Sequence, residues 1–214
     1  MENLLSLSFV LITIITLYTF YLGIGKNKKV LIVFLLWQSI IGILNYFQIF
    51  KNNPKIFPLF ILLTILIIFR LTNKIALATI NLKILTLIHF IRVSVEFILY
   101  GLFIQKKIPR IMTFEGWNYD VFIGISSLFV FLYILKRKDR IAKNVLRIWN
   151  YIGIGFLLFI VSIAILSSPL PIQQFGFNQP NVAILQFPFT YLATCVVPLV
   201  LFSHILVLKK IRSY

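Results

Sequence analysis

The chain has 214 residues, 60% hydrophobic and 16% aromatic, with only 12% charged and a formal net charge of +16. A soluble domain carries about 45–50% apolar and about 25% charged residues, so this composition excludes an ordinary soluble fold. The bases sit in short clusters between apolar runs of about 20 residues, as topology signals do, which sets aside nucleic acid as their partner.

The runs predict an all-α integral membrane bundle of seven transmembrane helices in one domain. The spans fall at about 3–25, 30–50, 56–73, 76–105, 117–135, 146–168 and 183–208. Spans three and four nearly abut, which leaves six or eight as the alternative counts. The first run lacks the basic leader and small-residue cleavage site of a signal peptide and is read as a retained helix. Its Ser6, Ser8, Thr13, Thr16 and Thr19 can hydrogen-bond their own helix or a neighbour. Span two carries Gln38, Gly42 and Asn45 on one face beside Trp37, the pattern of a polar helix–helix contact with a close approach at the glycine. In span three, Pro58 lies near the start, where proline is tolerated, and Arg70 near the end can snorkel to the interface.

Span four is apolar enough to cross a bilayer yet contains Lys83, His89, Arg92 and Glu96. At 100° per residue, Asn81, His89, Arg92 and Glu96 fall within roughly 80° of one face, and Lys83 does not. A charge at a bilayer centre costs roughly 2.5–3.5 kcal/mol on insertion scales, so the stripe must face other helices or a wet cavity. Arg92 and Glu96 are four residues apart and are expected to pair. Such a pair either locks helix packing or serves a ligand, ion or proton. A helix over residues 76–105 would be about 45 Å long and would have to tilt or protrude.

The segment PRIMTFEGWNYD, Pro109 to Asp120, leads into span five with Arg110, Glu115, Asn118 and Asp120. An aspartate in a first turn meets the positive end of the helix dipole, and Asn118 can cap there. Trp117 and Tyr119 suit an interface. Read functionally, the segment forms the mouth of an outward-facing polar pocket. Arg92 and Glu96 are its floor, Glu115, Asp120 and Asn178 its mouth, and Arg110 stands on its basic side.

Span six opens with Arg147, Trp149, Asn150 and Tyr151, read as an interfacial belt, and Gly153 and Gly155 permit close packing. The loop SSPLPIQQFGFNQPN follows, rigid through its prolines and rich in amides, Asn178 among them. Pro188 and Pro198 are expected to kink span seven or to free backbone carbonyls, which neighbours, water or a ligand must satisfy.

Orientation follows from the basic clusters. Lys136, Arg137, Lys138, Arg140 and Lys143 form the largest and should be cytoplasmic, as should Lys209, Lys210 and Arg212. The loop before span seven has no lysine or arginine and should be outside. Seven spans then put the N-terminus outside and the C-terminus in the cytoplasm, with Lys51, Lys55 and Lys106 to Arg110 outside against the rule. Anionic headgroups are the expected partners of Lys136, Arg137, Lys138 and Arg140.

No zinc, iron–sulfur, Walker or hydrolase motif occurs, so neither a metal nor a cofactor is expected and no catalytic residue is assigned. The single cysteine, Cys195, lies in an apolar run and reads as a packing residue. By helix rise, His89 lies about 20 Å from the inner end of span four and His204 about 6 Å from that of span seven. Such a mismatch argues against bis-histidine haem.

From Arg92 onward the chain resembles a group of small uncharacterised bacterial inner-membrane proteins. PRIMTFEGWNYD, Gln179-Pro180-Asn181, FPFTYL and VPLVLFSHIL carry the resemblance. It implies a multi-pass bundle in the cytoplasmic membrane and supplies no activity. The leading functional expectation is binding or transport of a small polar or amphipathic ligand. The alternatives are a non-catalytic subunit or scaffold that packs on a membrane-protein partner, and an intramembrane enzyme on a lipid with Glu96, Glu115 or Asp120 as acid or base.

Overall fold

The last helix is the axis of the fold. In the computed structural model, which describes residues 2–137 and 140–213, all regular structure among the described residues is helical. The long helices are α1 (Glu2–Gly23), α2 (Lys28–Tyr46), α3 (Phe57–Thr72), α4 (Leu82–Ile104), α5 (Asp120–Lys136), α6 (Arg140–Leu166) and α7 (Leu192–Arg212). Six are long and apolar enough to cross a membrane, α3 together with the 3₁₀ turn before it (Pro54–Thr72); α5, with 17 residues, is not among them. In α7, 67% of the apolar window is buried, against 22–44% in the other five. α1, α3, α4 and α6 all pack on it.

Local chemistry sets the boundaries. Gly25 (φ +74°) and Lys26 (φ +59°) turn the chain after α1, and Asn27 caps α2 by accepting from the Val30 amide at 3.2 Å. A Cβ on Gly25 would lie 2.7 Å from Thr79 Cβ, so glycine admits the α3–α4 link against this turn. α4 begins six residues later than its apolar run suggests. Residues 76–81 are a short 3₁₀ turn flanked by extended backbone, and Asn81 is the cap rather than part of the stripe. Its Oδ1 accepts from the amides of Lys83 (3.1 Å) and Ile84 (3.3 Å). The helix is therefore about 35 Å long, not 45 Å. The last helix likewise starts at Leu192 rather than 183, leaving Pro188 in the preceding loop.

Leu192–Val196 is a π-helical turn ahead of Pro198. Proline has no N–H for the carbonyl four residues back, which is that of Thr194. Gln38 Nε2 of α2 donates to that oxygen at 2.7 Å, and Thr194 Oγ1 donates back to Gln38 Oε1 at 3.3 Å. Asn45 donates to Thr190 Oγ1, and a Cβ on Gly42 would lie 2.6 Å from the Tyr191 hydroxyl. The polar face of α2 is thus a helix–helix contact with its closest approach at Gly42.

α3 and α6 both pack on α7 but scarcely touch each other. The gap between them is a groove with α7 as its back wall. At one end of the bundle, residues 103–118 and 167–182 pack together. Val182 N donates to Lys107 O at 3.0 Å, Gln179 Nε2 donates to the carbonyls of Phe103 and Ile108, and the rings of Trp117 and Phe175 lie 6.0 Å apart.

Candidate functional site

Four of the eight candidate residues converge at the junction of α4 and α5. A Cβ on Gly124 would meet Val93 Cγ2 at 2.7 Å and Arg92 Cβ at 3.4 Å, so glycine lets α5 lie close on α4. One turn earlier, Asp120 then comes within reach of Arg92. Arg92 Nη1 stands 3.5 Å from Asp120 Oδ1, and Nη2 donates to Gly153 O of α6 at 3.3 Å. Asn118 Nδ2 donates to Glu96 Oε1 and, at 3.1 Å, to Met112 O. Its Oδ1 accepts from the Asp120 amide at 3.1 Å, so the residue ahead of the Tyr119 cap ties the start of α5 to Glu96.

The expected partner of Arg92 was Glu96, one turn along α4. Instead its ion pair among the described residues is with Asp120, and Glu96 takes the asparagine. The reason is packing. α5 meets α4 on the face of Arg92, and an aspartate in its first turn approaches end-on without the curled rotamers that an Arg-before-Glu pair on one helix requires.

Arg92, Glu96, Asn118 and Asp120 are 2–6% exposed, and the chain has only five acidic residues. Within the described residues, Arg92 Nε and Nη1, Glu96 Oε2 and Asp120 Oδ1 have no hydrogen-bond partner. Buried polar atoms without partners are rare in folded proteins and mark sites that something else completes.

A cavity of about 160 Å³ ends on these groups. Glu96, Asn118 and Asp120 form its polar end; Ile61 and Ile65 of α3, Leu157 and Ala164 of α6, and Leu192 and Pro198 of α7 are among its apolar walls. Leu158 and Ile165, on its rim, are exposed, so it opens sideways between α3 and α6. A second cavity of about 220 Å³ shares Ile61, Ile65, Ile165 and Ile184 with the first and continues the groove to Pro169 and Leu170.

The remaining candidates lie elsewhere. Arg110 Nε and Glu115 Oε2 pair at 3.5 Å on the surface, with side chains 66% and 36% exposed, and Asn178 is exposed in the 167–182 segment. Neither lines the cavity at Glu96. His89, fully buried on α4, stacks on His204 with ring centroids 3.8 Å apart, and His204 Nδ1 lies 2.7 Å from Asn150 Oδ1. The two histidines lie at like depth, not at the mismatched depths that helix rise along the apolar runs predicts. With α4 starting at Leu82 and α7 ending at Arg212, both sit about 10–12 Å from the same end of the bundle. Their rings touch face to face, which leaves no space for a macrocycle between them. Trp149 and Asn150, read as an interfacial belt, are buried against this pair, while Tyr151 and Ile152 face outward. Nothing in the sequence signals that His89 and His204 meet.

Lys136 and Arg137 are exposed at the end of α5; Lys138, and the side chain of Arg140, lie outside the described residues. Cys195 is buried, as its apolar setting predicts.

Residues 55–212 match the family described as a domain of unknown function, DUF8737, and the chain belongs to that family. No curated protein and no solved structure matches the chain.

Proposed function

We propose that this member of the DUF8737 family is a seven-span protein of the cytoplasmic membrane that binds, and moves between bilayer and bundle interior, an amphipathic molecule entering sideways between α3 and α6. The observation that carries this reading is the apolar cavity that ends on Glu96, Asn118 and Asp120. A chain of methylenes suits its walls and the groove beyond. The polar end of such a molecule meets Glu96 Oε2, an acceptor without a hydrogen-bond partner among the described residues, beside Asp120 Oδ1, which stands 3.5 Å from Arg92 Nη1. A head that donates, an ammonium or a hydroxyl, is favoured there over a carboxylate or phosphate. Arg92 acts from behind, tethering Asp120 so that the acceptors keep their positions.

In this reading α5 completes the seventh span. Its 17 residues reach about 25 Å, at the short end of the usual range. The basic links and the C-terminal Lys209, Lys210 and Arg212 then face the cytoplasm, and the packed segments 103–118 and 167–182 close the outer end. Entry from the lipid side replaces entry from the outer aqueous phase.

The test is photocrosslinking of the purified full chain with a photoreactive long-chain alkylamine. Label should fall within residues 61–65 or 157–165, yield to unlabelled alkylamine and not to an alkyl sulfate. It should weaken in Glu96→Gln and vanish in Ile165→Trp, which plugs the rim. Label spread evenly over lipid-facing residues, unchanged in both variants, would sink the ligand reading. It would leave the groove as a seat for a partner's transmembrane helix.

A further inference from the structure

At the opposite, basic end of the bundle lies a third and larger cavity, of about 640 Å³. Four cations line it from four different helices: Lys83 of α4, Arg137 just after α5, Lys143 of α6 and Lys210 of α7. Its other wall is apolar, with Ile134 and Leu146. Lys83 and Lys210 are far in sequence from each other and from Arg137 and Lys143, so the tertiary fold brings the three groups together. Asp139 is the only acid in the stretch Lys136 to Lys143, and the assembly stays cationic with that residue counted.

Two of these cations sit where a helix disfavours them. Lys83 is the second residue of α4, and Lys143 the fourth of α6, both in first turns, where the positive end of the helix dipole opposes a cation. Lys210 is 8% exposed, and its ammonium donates to the carbonyls of Ile80 and Ala78, which fixes a positive charge at the cavity wall. A helix N-terminus favours an anion, and lysine and arginine are the usual ligands of phosphate. The volume lies in the range of small-molecule sites.

We propose that this cavity binds a phosphate-bearing anion, the phosphate held by Lys83, Arg137 and Lys143 and the attached apolar group lying on Ile134 and Leu146. A lipid headgroup and a soluble phosphate share this chemistry. The site is separate from the carboxylate cluster and opposite to it in charge.

The experiment uses the full chain in neutral detergent. Retention of phosphatidylglycerol and of phosphatidylcholine is compared by native mass spectrometry, and inorganic phosphate is added separately in thermal melts. Phosphatidylglycerol should be retained over phosphatidylcholine, with a loss on the order of tenfold in Lys83→Gln/Lys143→Gln. Lys28→Gln/Lys29→Gln, which removes the same charge at the same end outside the cavity, should retain it normally. Stabilisation by inorganic phosphate that depends on Lys83, without preference between the lipids, assigns the site to a soluble phosphate. Should the double variant misfold, Ile134→Trp fills the apolar wall at unchanged charge and must also weaken lipid retention. Equal behaviour of pocket and control variants toward both probes overturns the proposal.

Discussion

Gln38 Nε2 donates at 2.7 Å to the carbonyl of Thr194, four residues before Pro198, whose nitrogen has no N–H to give it. A side chain on α2 thus completes the backbone of α7, 156 residues away. Replacing Gln38 by leucine should destabilise the protein by about 1–3 kcal/mol, the penalty for an unsatisfied buried group. Pro198→Ala returns an amide to that carbonyl. The double variant should therefore lose less than the two single effects added, measured as a double-mutant cycle in detergent melts. Strict additivity would mean that the two residues act independently.

The same contact predicts a steric rescue. A Cβ at Gly42 would come 2.6 Å from the Tyr191 hydroxyl but 3.9 Å from the ring carbon bearing it. Gly42→Ala should lower thermal stability through overpacking, of the order of 1–3 kcal/mol. Tyr191→Phe/Gly42→Ala should recover most of that loss, and failure to recover would place the strain elsewhere.

Arg92 and Asp120 test the pairing within the buried cluster. Removing one member of a buried ion pair costs about 3–5 kcal/mol, whereas apolar replacement of both is often neutral. Arg92→Met alone should be strongly destabilising, and Arg92→Met/Asp120→Leu clearly milder. Arg92→Met/Glu96→Leu should not show that relief. Equal relief from Glu96→Leu would identify Glu96 as the true partner.

Gly153 supports both buried constellations. Its carbonyl accepts from Arg92, and a Cβ there would lie 2.4 Å from His204 Cε1. Gly153→Ala must displace a ring that is stacked on His89 and bound to Asn150. We expect loss of about 1–3 kcal/mol and, with Arg92 displaced as well, weaker alkylamine labelling at the groove. Gly155 has nothing within 4 Å of its would-be Cβ, so Gly155→Ala serves as the matched control and should be silent.

By itself the sequence determined the all-helical class, the long apolar segments and the polar contact on α2. Each of these depends on local apolar length and periodicity, which a single segment displays without its neighbours. It also singled out Arg92, Glu96, Asn118 and Asp120, because charges in apolar runs and carboxylates at helix starts are rare enough to stand out. Only the tertiary structure decided who pairs with whom. Asp120 displaces Glu96 as the partner of Arg92 because Gly124 brings α5 against α4, and His89 meets His204 because α4 starts at Asn81's cap rather than at the edge of its apolar run. The sideways groove is equally invisible in the sequence, since it exists where α3 and α6 fail to touch. The cationic cavity joins Lys83 and Lys210 to Arg137 and Lys143, which the sequence shows only as one basic cluster apart from the other two lysines.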